Sequence, residues 1–421
     1  MDDEVIRGGG EILEFPIIDE FEMPGQAQRM DYNPAEGATD WEMSFSLEVP
    51  ADLPSGIYAA KCMDDDETIY IPFIINPTPH CRNRFLVLAN TNTWNAYNDW
   101  GGYSRYYEVR DFANFPDIRT SRDLSFLRPN LKLFNLSLED GNNNGGGGDG
   151  PYGFTSKHRL RGELWVLNWL KQSPYAFDVY TDLDFHIGIE GIDDYDAIIL
   201  TTHPEYWSIE MAANLKDYLN QGGNLLYLGG NGIFDTVTIS DETFVMRVYG
   251  TLNERTKLLS QVGLPESAIL GVATPRQVVG PGIMAAVGNN WIERVAYKVS
   301  DPGAGAELHR FFCGTGLQPG DEFGGCGWFL ATSADEASYV EPRINNSGAS
   351  GGECDQADGD SPHNLQVLAR GINSEVPADM TYYDHEGGGF VFSVGSISFG
   401  GSLVVDKVIQ QIICNALGSC R

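Results

Sequence analysis

The chain has 421 residues, of which 42% are hydrophobic and 11% aromatic, so it can bury a sizeable core and general disorder is excluded. Its 27 Lys and Arg stand against 59 Asp and Glu, and the net charge of −32 argues against nucleic acid and membrane surfaces as partners. No apolar run reaches the ~18 residues of a membrane span, and Met1-Asp2-Asp3-Glu4 is too acidic for a secretory signal, so a soluble protein, cytoplasmic or extracellular, is expected.

Near the start of the chain, Trp41, Met43, Phe45, Leu47 and Val49 alternate with polar residues, the pattern of a half-buried strand. After the turn Asp52-Leu53-Pro54-Ser55-Gly56, the runs Ile57 to Cys62 and Thr68 to Ile75 flank a polar tip, as in an antiparallel unit. A small β-sandwich over residues 1–80 is expected, ending near Asn76-Pro77-Thr78-Pro79-His80.

From Phe85 onward, short apolar runs alternate with helical patterns. Phe85 to Ala89, Phe177 to Thr181, Ala197 to Thr201, Asn224 to Leu228 and Gly389 to Val394 read as buried strands. Gly162 to Gln172 and Ser208 to Gln221 have helical spacing, the second opening on a serine N-cap and ending at Gly222-Gly223. This order predicts an α/β fold over residues 81–421, with a doubly wound, mostly parallel sheet whose ligands bind at the strands' carboxyl ends. Glu139 to Gly150 and Asn345 to Ser361, rich in Gly, Asn and Asp, read as flexible surface loops; neither has the EF-hand spacing. The seven cysteines include no CxxC pair, which argues against a zinc ribbon, although Cys414 and Cys420 can close a small loop in an oxidising compartment.

Three polar stretches follow three of these strands. The first, Asn90 to Gly102, reads as a loop crowded with Asn, Thr, Trp and Tyr. In the second, His203 and Glu205 lie two apart in an extended segment and project to one side; Glu205 can equally cap the following helix. The third is Gly229-Gly230-Asn231-Gly232, where glycine permits close backbone approach and Asn231 offers an amide. Their convergence on one crevice says more than any of them alone. There is no P-loop or HExxH helix. An oxygen-rich set of Tyr, Glu and Asn suits a hard cation, ferric iron in particular.

Several segments recur together: Val49 to Ala60 with Tyr70-Ile71-Pro72-Phe73, Thr91 to Asn98 with Trp100-Gly101-Gly102, and Ser125-Phe126-Leu127-Arg128-Pro129. His203 to Ser208, Gly229 to Gly232, and Gly388 to Ser393 with Gly395-Ser396 complete the set. In this order, over nearly the whole chain, they resemble the C-terminal region of the N,N-dimethylformamidase large subunit and its relatives. The resemblance implies a β-sandwich ahead of a domain like class I glutamine amidotransferases, and a mononuclear ferric (Fe3+) site held by two tyrosines and a glutamate. By motif, Tyr97 and Glu205 match metal ligands, with His203 and Asn231 lining the site. Asn130 stands where the family's second tyrosine is expected; either Tyr152 substitutes for it from another loop, or the iron site is altered or lost. Glu341 resembles a downstream glutamate that serves as base, a part open equally to His203, and Trp94, Asn95 and Trp207 are candidates for a pocket around a small-molecule amide, although large aromatics such as these can equally be simply core. The implied activity is metal-dependent hydrolysis of a linear amide to carboxylate and amine, with a small helical subunit and a homo-oligomer as implied partners. A carbohydrate-active enzyme, or a non-catalytic binding or structural protein on the same scaffold, are the alternatives.

Overall fold

Runs such as Phe85–Ala89 and Ala197–Thr202 are apolar at consecutive positions, and every residue in them is buried, as in strands covered on both faces. The computed structural model describes residues 4–8, 11–15, 42–63, 68–78, 81–98, 100, 104–105, 121–130, 159–249, 263, 265–280, 283–286, 289–327 and 348–420. We number the strands of its main sheet β1 (Phe85–Ala89), β2 (Phe177–Thr181), β3 (Ala197–Thr202), β4 (Asn224–Gly229), β5 (Tyr297–Val299), β6 (Glu322–Phe323), β7 (Gln366–Gly371), β8 (Asp379–Asp384) and β9 (Phe390–Ser393). Their order across this nine-stranded sheet is β6-β5-β7-β8-β9-β4-β3-β1-β2. The pairings from β9 through β4, β3 and β1 to β2 are parallel. Those joining β6, β5, β7, β8 and β9 are antiparallel. The sheet is therefore mixed rather than mostly parallel, because the last third of the chain returns as a meander on the edge of the parallel half.

Alternation along the strands divides the core in two. Phe85, Val87, Ala197, Ile199, Leu226 and Leu228 face one cluster, shared with helices α2 (Leu160–Gln172), α6 (Phe399–Leu403) and α7 (Lys407–Ser419). Leu86, Leu88, Ile198, Leu200 and Leu225 face the other, shared with α3 (Asp182–Ile187), α4 (Ile209–Asn220) and α5 (Glu266–Leu270). Each fully buried Leu or Ile stabilises by about 1.5–3 kcal/mol, so these two layers hold the strand ends in a rigid frame. The serine N-cap of α4 forms as expected: Ser208 Oγ accepts from the Met211 amide at 3.1 Å, and the helix gives way to Gly222 at φ +95°. The expectation that Glu205 caps this helix is thereby displaced. Among the described residues no helix is long and apolar enough to cross a membrane.

Within the first 80 residues, Glu4–Gly8 pairs with Glu11–Phe15, and Gly56–Met63 pairs antiparallel with Thr68–Ile75, as expected for the second pair. That second pair shares a core with the main sheet, since Ile57, Ala59, Tyr70 and Ile74 pack against its first cluster. Ser55 fixes this docking. Its hydroxyl accepts from the Val179 amide at 2.8 Å and donates to the Val179 carbonyl at 3.2 Å, filling the place of a neighbouring strand at the β2 edge. Three expectations are corrected. Residues 42–50 pair with no described strand and carry exposed Met43, Phe45 and Val49, so alternation alone does not make a strand here. Cys414 and Cys420 are both free thiols, Cys420 buried with its Sγ 3.5 Å from the Ala416 carbonyl in the last turn of α7. The stretch read as a surface loop from Asn345 to Ser361 is, from residue 348 on, largely ordered core: Ser350–Glu353 is a buried strand pairing with Asn289–Val295. Glu139 to Gly150 lies outside the described residues.

Candidate functional site

The order β2-β1-β3-β4 reverses direction between β1 and β3, and in open α/β sheets ligands bind outside the carboxyl ends at such a switch point. The three polar stretches emerge there. After β1 the chain forms helix α1 (Thr91–Tyr97), not the expected loop. Asn and Thr are weak helix formers because their side chains compete for backbone groups. Here tertiary partners occupy those side chains. Asn90 Nδ2 donates to the Thr201 carbonyl at 2.7 Å, Asn92 Nδ2 to the Tyr206 carbonyl at 3.0 Å, and Thr93 Oγ1 to the His203 carbonyl at 2.9 Å. Asn95 Nδ2 donates to the Leu124 carbonyl at 3.0 Å.

The segment Ser125 to Asn130 clamps the other end of α1. The Arg128 guanidinium donates to the carbonyls of Asn95, Asn98 and Ser125 and to Asn95 Oδ1, at 2.9–3.1 Å. A buried arginine thus satisfies carbonyls that a helix C-terminus leaves open. Asn130 Nδ2 donates to the Trp94 carbonyl at 3.1 Å, so the residue standing at the expected tyrosine position is part of the same clamp.

At the end of β3, Thr202 adopts φ +57° and turns the chain so that His203 and Glu205 meet: His203 Nε2 lies 3.3 Å from Glu205 Oε2. The Tyr97 hydroxyl donates to the same Oε2 at 3.3 Å. Thr93 Oγ1, which donates to the His203 carbonyl, also accepts from the Glu205 amide at 3.2 Å and so ties α1 to this turn. After β4, Gly230 passes so close to the Glu353 carbonyl that a Cβ there would sit 2.3 Å from it. Asn231 follows at φ +52°, with Nδ2 3.3 Å from His203 Nε2. Ile233 at φ +53° is a third non-glycine residue in the left-handed region beside the site, conformations that persist only where surrounding contacts over-determine them.

His203, Glu205, Asn231 and Tyr97 are therefore brought together. Glu353, which the sequence did not single out, completes the set: its Oε2 accepts from Asn231 Nδ2 at 2.6 Å and lies 3.2 Å from His203 Nε2. The only sequence signal was the spacing Glu353-Cys354-Asp355, in which a buried thiol separates two acids, within a stretch whose glycines and acids suggested a loop. Burial, then the charges of Glu353 and Asp235, push the Glu205 carboxyl well above its ordinary range, against the Tyr97 hydrogen bond and Arg105. Glu341 and Tyr152 lie outside the described residues.

Of the expected pocket residues, none lines the site as foreseen. Trp94 is buried in the first core cluster with Nε1 donating to Glu163 Oε1 at 2.6 Å. Trp207 is fully buried in the second cluster, edge-on to Phe185 at 5.8 Å. Asn95 is spent on Leu124 and Arg128. In each case the side chain positions α1 or fills core, because both faces of this sheet are packed with helices.

Glu163 adds a pH dependence. It is buried on α2 and accepts from Trp94 and from the Asn90 amide at 3.1 Å, yet burial outweighs these bonds and raises its carboxyl from 4.5 to about 7. The folded state therefore prefers the neutral acid. That contribution is fully present below pH 4.5 and is lost as pH rises through 7. At ~1.4 kcal/mol per pKa unit, Glu163→Gln should gain up to about 3 kcal/mol on the wild type between those limits, read by urea unfolding at a series of pH values. A constant difference between the two proteins across that range would show that Glu163 is not neutral in the fold.

Among the described residues no group of three or more His, Cys, Asp or Glu side chains is arranged to hold a metal ion. A site built on phenol and carboxylate is a different donor set. Tyr97 and Glu205 fit one: hard oxygen donors in contact, in a buried, anionic surrounding that a cation would neutralise.

Comparison with known proteins places the chain. The family model described as N,N-dimethylformamidase beta subunit-like, C-terminal, matches residues 21–411. The N,N-dimethylformamidase beta subunits of Alcaligenes sp and Paracoccus aminophilus are 27% and 26% identical to it over 413 residues, 86% of this chain. The chain spans about half the length of these curated relatives, 51% of each. Among solved structures, a β-galactosidase from Bacillus circulans sp. alkalophilus is 12% identical, with a TM-score of 0.31 over 60% of this chain and 27% of its own. A cytoplasmic protein from Salmonella typhimurium LT2 is 14% identical, with a TM-score of 0.33 over 61% of this chain and 86% of its own. With its model matched from residue 21 to residue 411, the chain belongs to the N,N-dimethylformamidase beta subunit-like C-terminal family.

Proposed function

We propose that this chain carries the hydrolytic site of a dimethylformamidase-like amidase, cleaving small linear amides to carboxylate and amine. The observation that carries the reading is the convergence of Tyr97, His203, Glu205, Asn231 and Glu353 at the carboxyl ends of neighbouring strands. Tyr97 and Glu205 would hold a ferric ion, with Tyr152 as a further phenol. When bound, the ion supplies Lewis acidity toward the amide carbonyl and the attacking water. Glu353 takes the proton of that water and returns it to the leaving amine, the part that the family resemblance implies for Glu341. His203, held between Glu205 and Glu353, keeps the two carboxylates in register, and the Asn231 amide orients Glu353. The parallel half, flanked by helices on both faces with its functional residues at the strand ends, supports a glutamine amidotransferase-like topology as part of the same proposal. The relatives are named beta subunits, which supports a partner subunit for activity on this reading; a small helical partner and a homo-oligomer are what the family resemblance adds to the proposal.

Protein purified without added metal is expected to carry one iron per chain, with a tyrosinate-to-iron absorption band that Tyr97→Phe weakens or abolishes, Tyr152→Phe serving as comparison, and to release amine from N,N-dimethylformamide. A colourless, metal-free protein that releases no amine, with or without the partner subunit, overturns the reading. It would favour the second one, a non-catalytic scaffold, which Asn130 in place of the expected phenol supports.

A further inference from the structure

Behind Asn231 lies a buried chain of polar groups that the amidase reading does not use. Thr274 Oγ1 sits 2.9 Å from Asn231 Oδ1 and 2.5 Å from Asp355 Oδ1. Asp355 is fully buried; its Oδ1 also accepts from the Asn231 amide at 3.0 Å, and its Oδ2 accepts from the Tyr227 hydroxyl at 2.7 Å. That hydroxyl accepts in turn from the Gly232 amide at 2.7 Å. At the other end Asn231 Nδ2 lies 2.6 Å from Glu353 Oε2.

The hydrogens in this chain can be counted. Thr274 has a single hydroxyl hydrogen for two acceptors. If Thr274 donates to Asp355, then Asn231 Oδ1 faces a bare oxygen at 2.9 Å unless the amide turns over. Turned over, it donates to Thr274 and presents its oxygen to Glu353 at 2.6 Å, which requires a proton on Glu353. If instead Asp355 carries a proton, it donates to Thr274, Thr274 donates to Asn231 Oδ1, and the amide nitrogen donates to an ionised Glu353. With no proton, one acceptor pair is left in contact in a buried site, where unmet groups cost about 1–3 kcal/mol.

We infer that Asp355, Thr274, Asn231 and Glu353 form a relay holding one proton, in which the orientation of the Asn231 amide and the location of that proton are a single variable. Asp355 and Thr274 are thus positioning residues: they act on the site only through Asn231. Burial raises the Asp355 carboxyl to about 6, the direction that favours a proton in the relay. The inference rests on the hydrogen-bond geometry and on the proposed site only for its consequence in catalysis.

Infrared difference spectroscopy of the purified full chain at neutral pH tests it, reading the carbonyl stretch of a protonated carboxyl. Beside the bands of other buried acids such as Glu163 and Glu205, which these substitutions leave in place, the relay predicts one band in the wild type that is lost in Asp355→Asn, in Glu353→Gln and in Thr274→Val, and kept in Thr274→Ser, which retains the hydroxyl. Carbon-13 labelling of Asp or Glu assigns the band. Its persistence in Thr274→Val, or in both carboxyl variants, overturns the relay. The readout needs no turnover, so a protein that hydrolyses no amide but shows this pattern keeps the relay and loses the amidase, and the converse result separates them the other way. Where amide turnover is present, Thr274→Val should lower kcat about tenfold or more with KM nearly unchanged, and Thr274→Ser should restore it.

Discussion

Glu353→Gln is expected to lower kcat for amide hydrolysis by roughly 10²–10⁴-fold while leaving KM within a few-fold of the wild type, the range for losing a positioned general base. The substituted amide keeps the shape of the side chain and can still meet Asn231, so folding should survive, and circular dichroism and the unfolding midpoint check this. What the variant loses is the ability to accept a proton beside His203, to which Glu353 Oε2 is held at 3.2 Å. A parallel Glu341→Gln variant decides between the two carboxylates. If Glu341→Gln carries the large kcat loss and Glu353→Gln does not, the base lies elsewhere and Glu353 serves only to orient Asn231 and His203.

Arg128→Ala should be the most damaging single change outside the chemical groups. Four hydrogen bonds of the guanidinium hold the last turn of α1 and Ser125. Removing it takes the donor from the Asn98 and Ser125 carbonyls and from Asn95 Oδ1, while the Asn95 carbonyl keeps the Asn98 amide at 3.2 Å; at about 1–3 kcal/mol per unmet buried group, partly relieved by water, a loss of about 3 kcal/mol is expected in urea unfolding. Because Tyr97 is the last residue of α1, any iron site should loosen with it, seen as weaker metal retention even in the fraction that stays folded. Arg128→Lys should recover little, since a single ammonium cannot span the carbonyls of Asn95, Asn98 and Ser125 together. A variant with unchanged stability would mean that α1 is held by its asparagines alone.

These two residues show how differently the sequence exposed parts of the site. Arg128 sat within a motif that the family resemblance flagged, but its task was invisible until α1 was known to be a helix whose carbonyls needed donors. Glu353 sat in a stretch whose glycines and acids suggested a solvated loop. It is in fact buried strand, because residues from the amide of Gly348 onward hydrogen-bond into Asn289–Val295 and against the end of β9. The sequence left Trp94 and Trp207 open between pocket wall and core, and the helix layers on both faces decide for core.

The sequence by itself determined the parallel strands, the helices α2 and α4 with the Ser208 cap, and the convergence of His203, Glu205 and Asn231, because apolar periodicity, capping and the strand-end rule are local or nearly so. The family resemblance singled out Tyr97, whose hydroxyl the structure sets 3.3 Å from Glu205 Oε2. Only the tertiary structure decided that residues 42–50 pair with no described strand, that the sheet continues antiparallel through β8 and β7, and that Glu353, Thr274 and Asp355 stand behind Asn231. Those features depend on which distant segments meet: strand pairing and buried hydrogen-bond closure are properties of partners tens to hundreds of residues apart, and no window of sequence contains both ends of them.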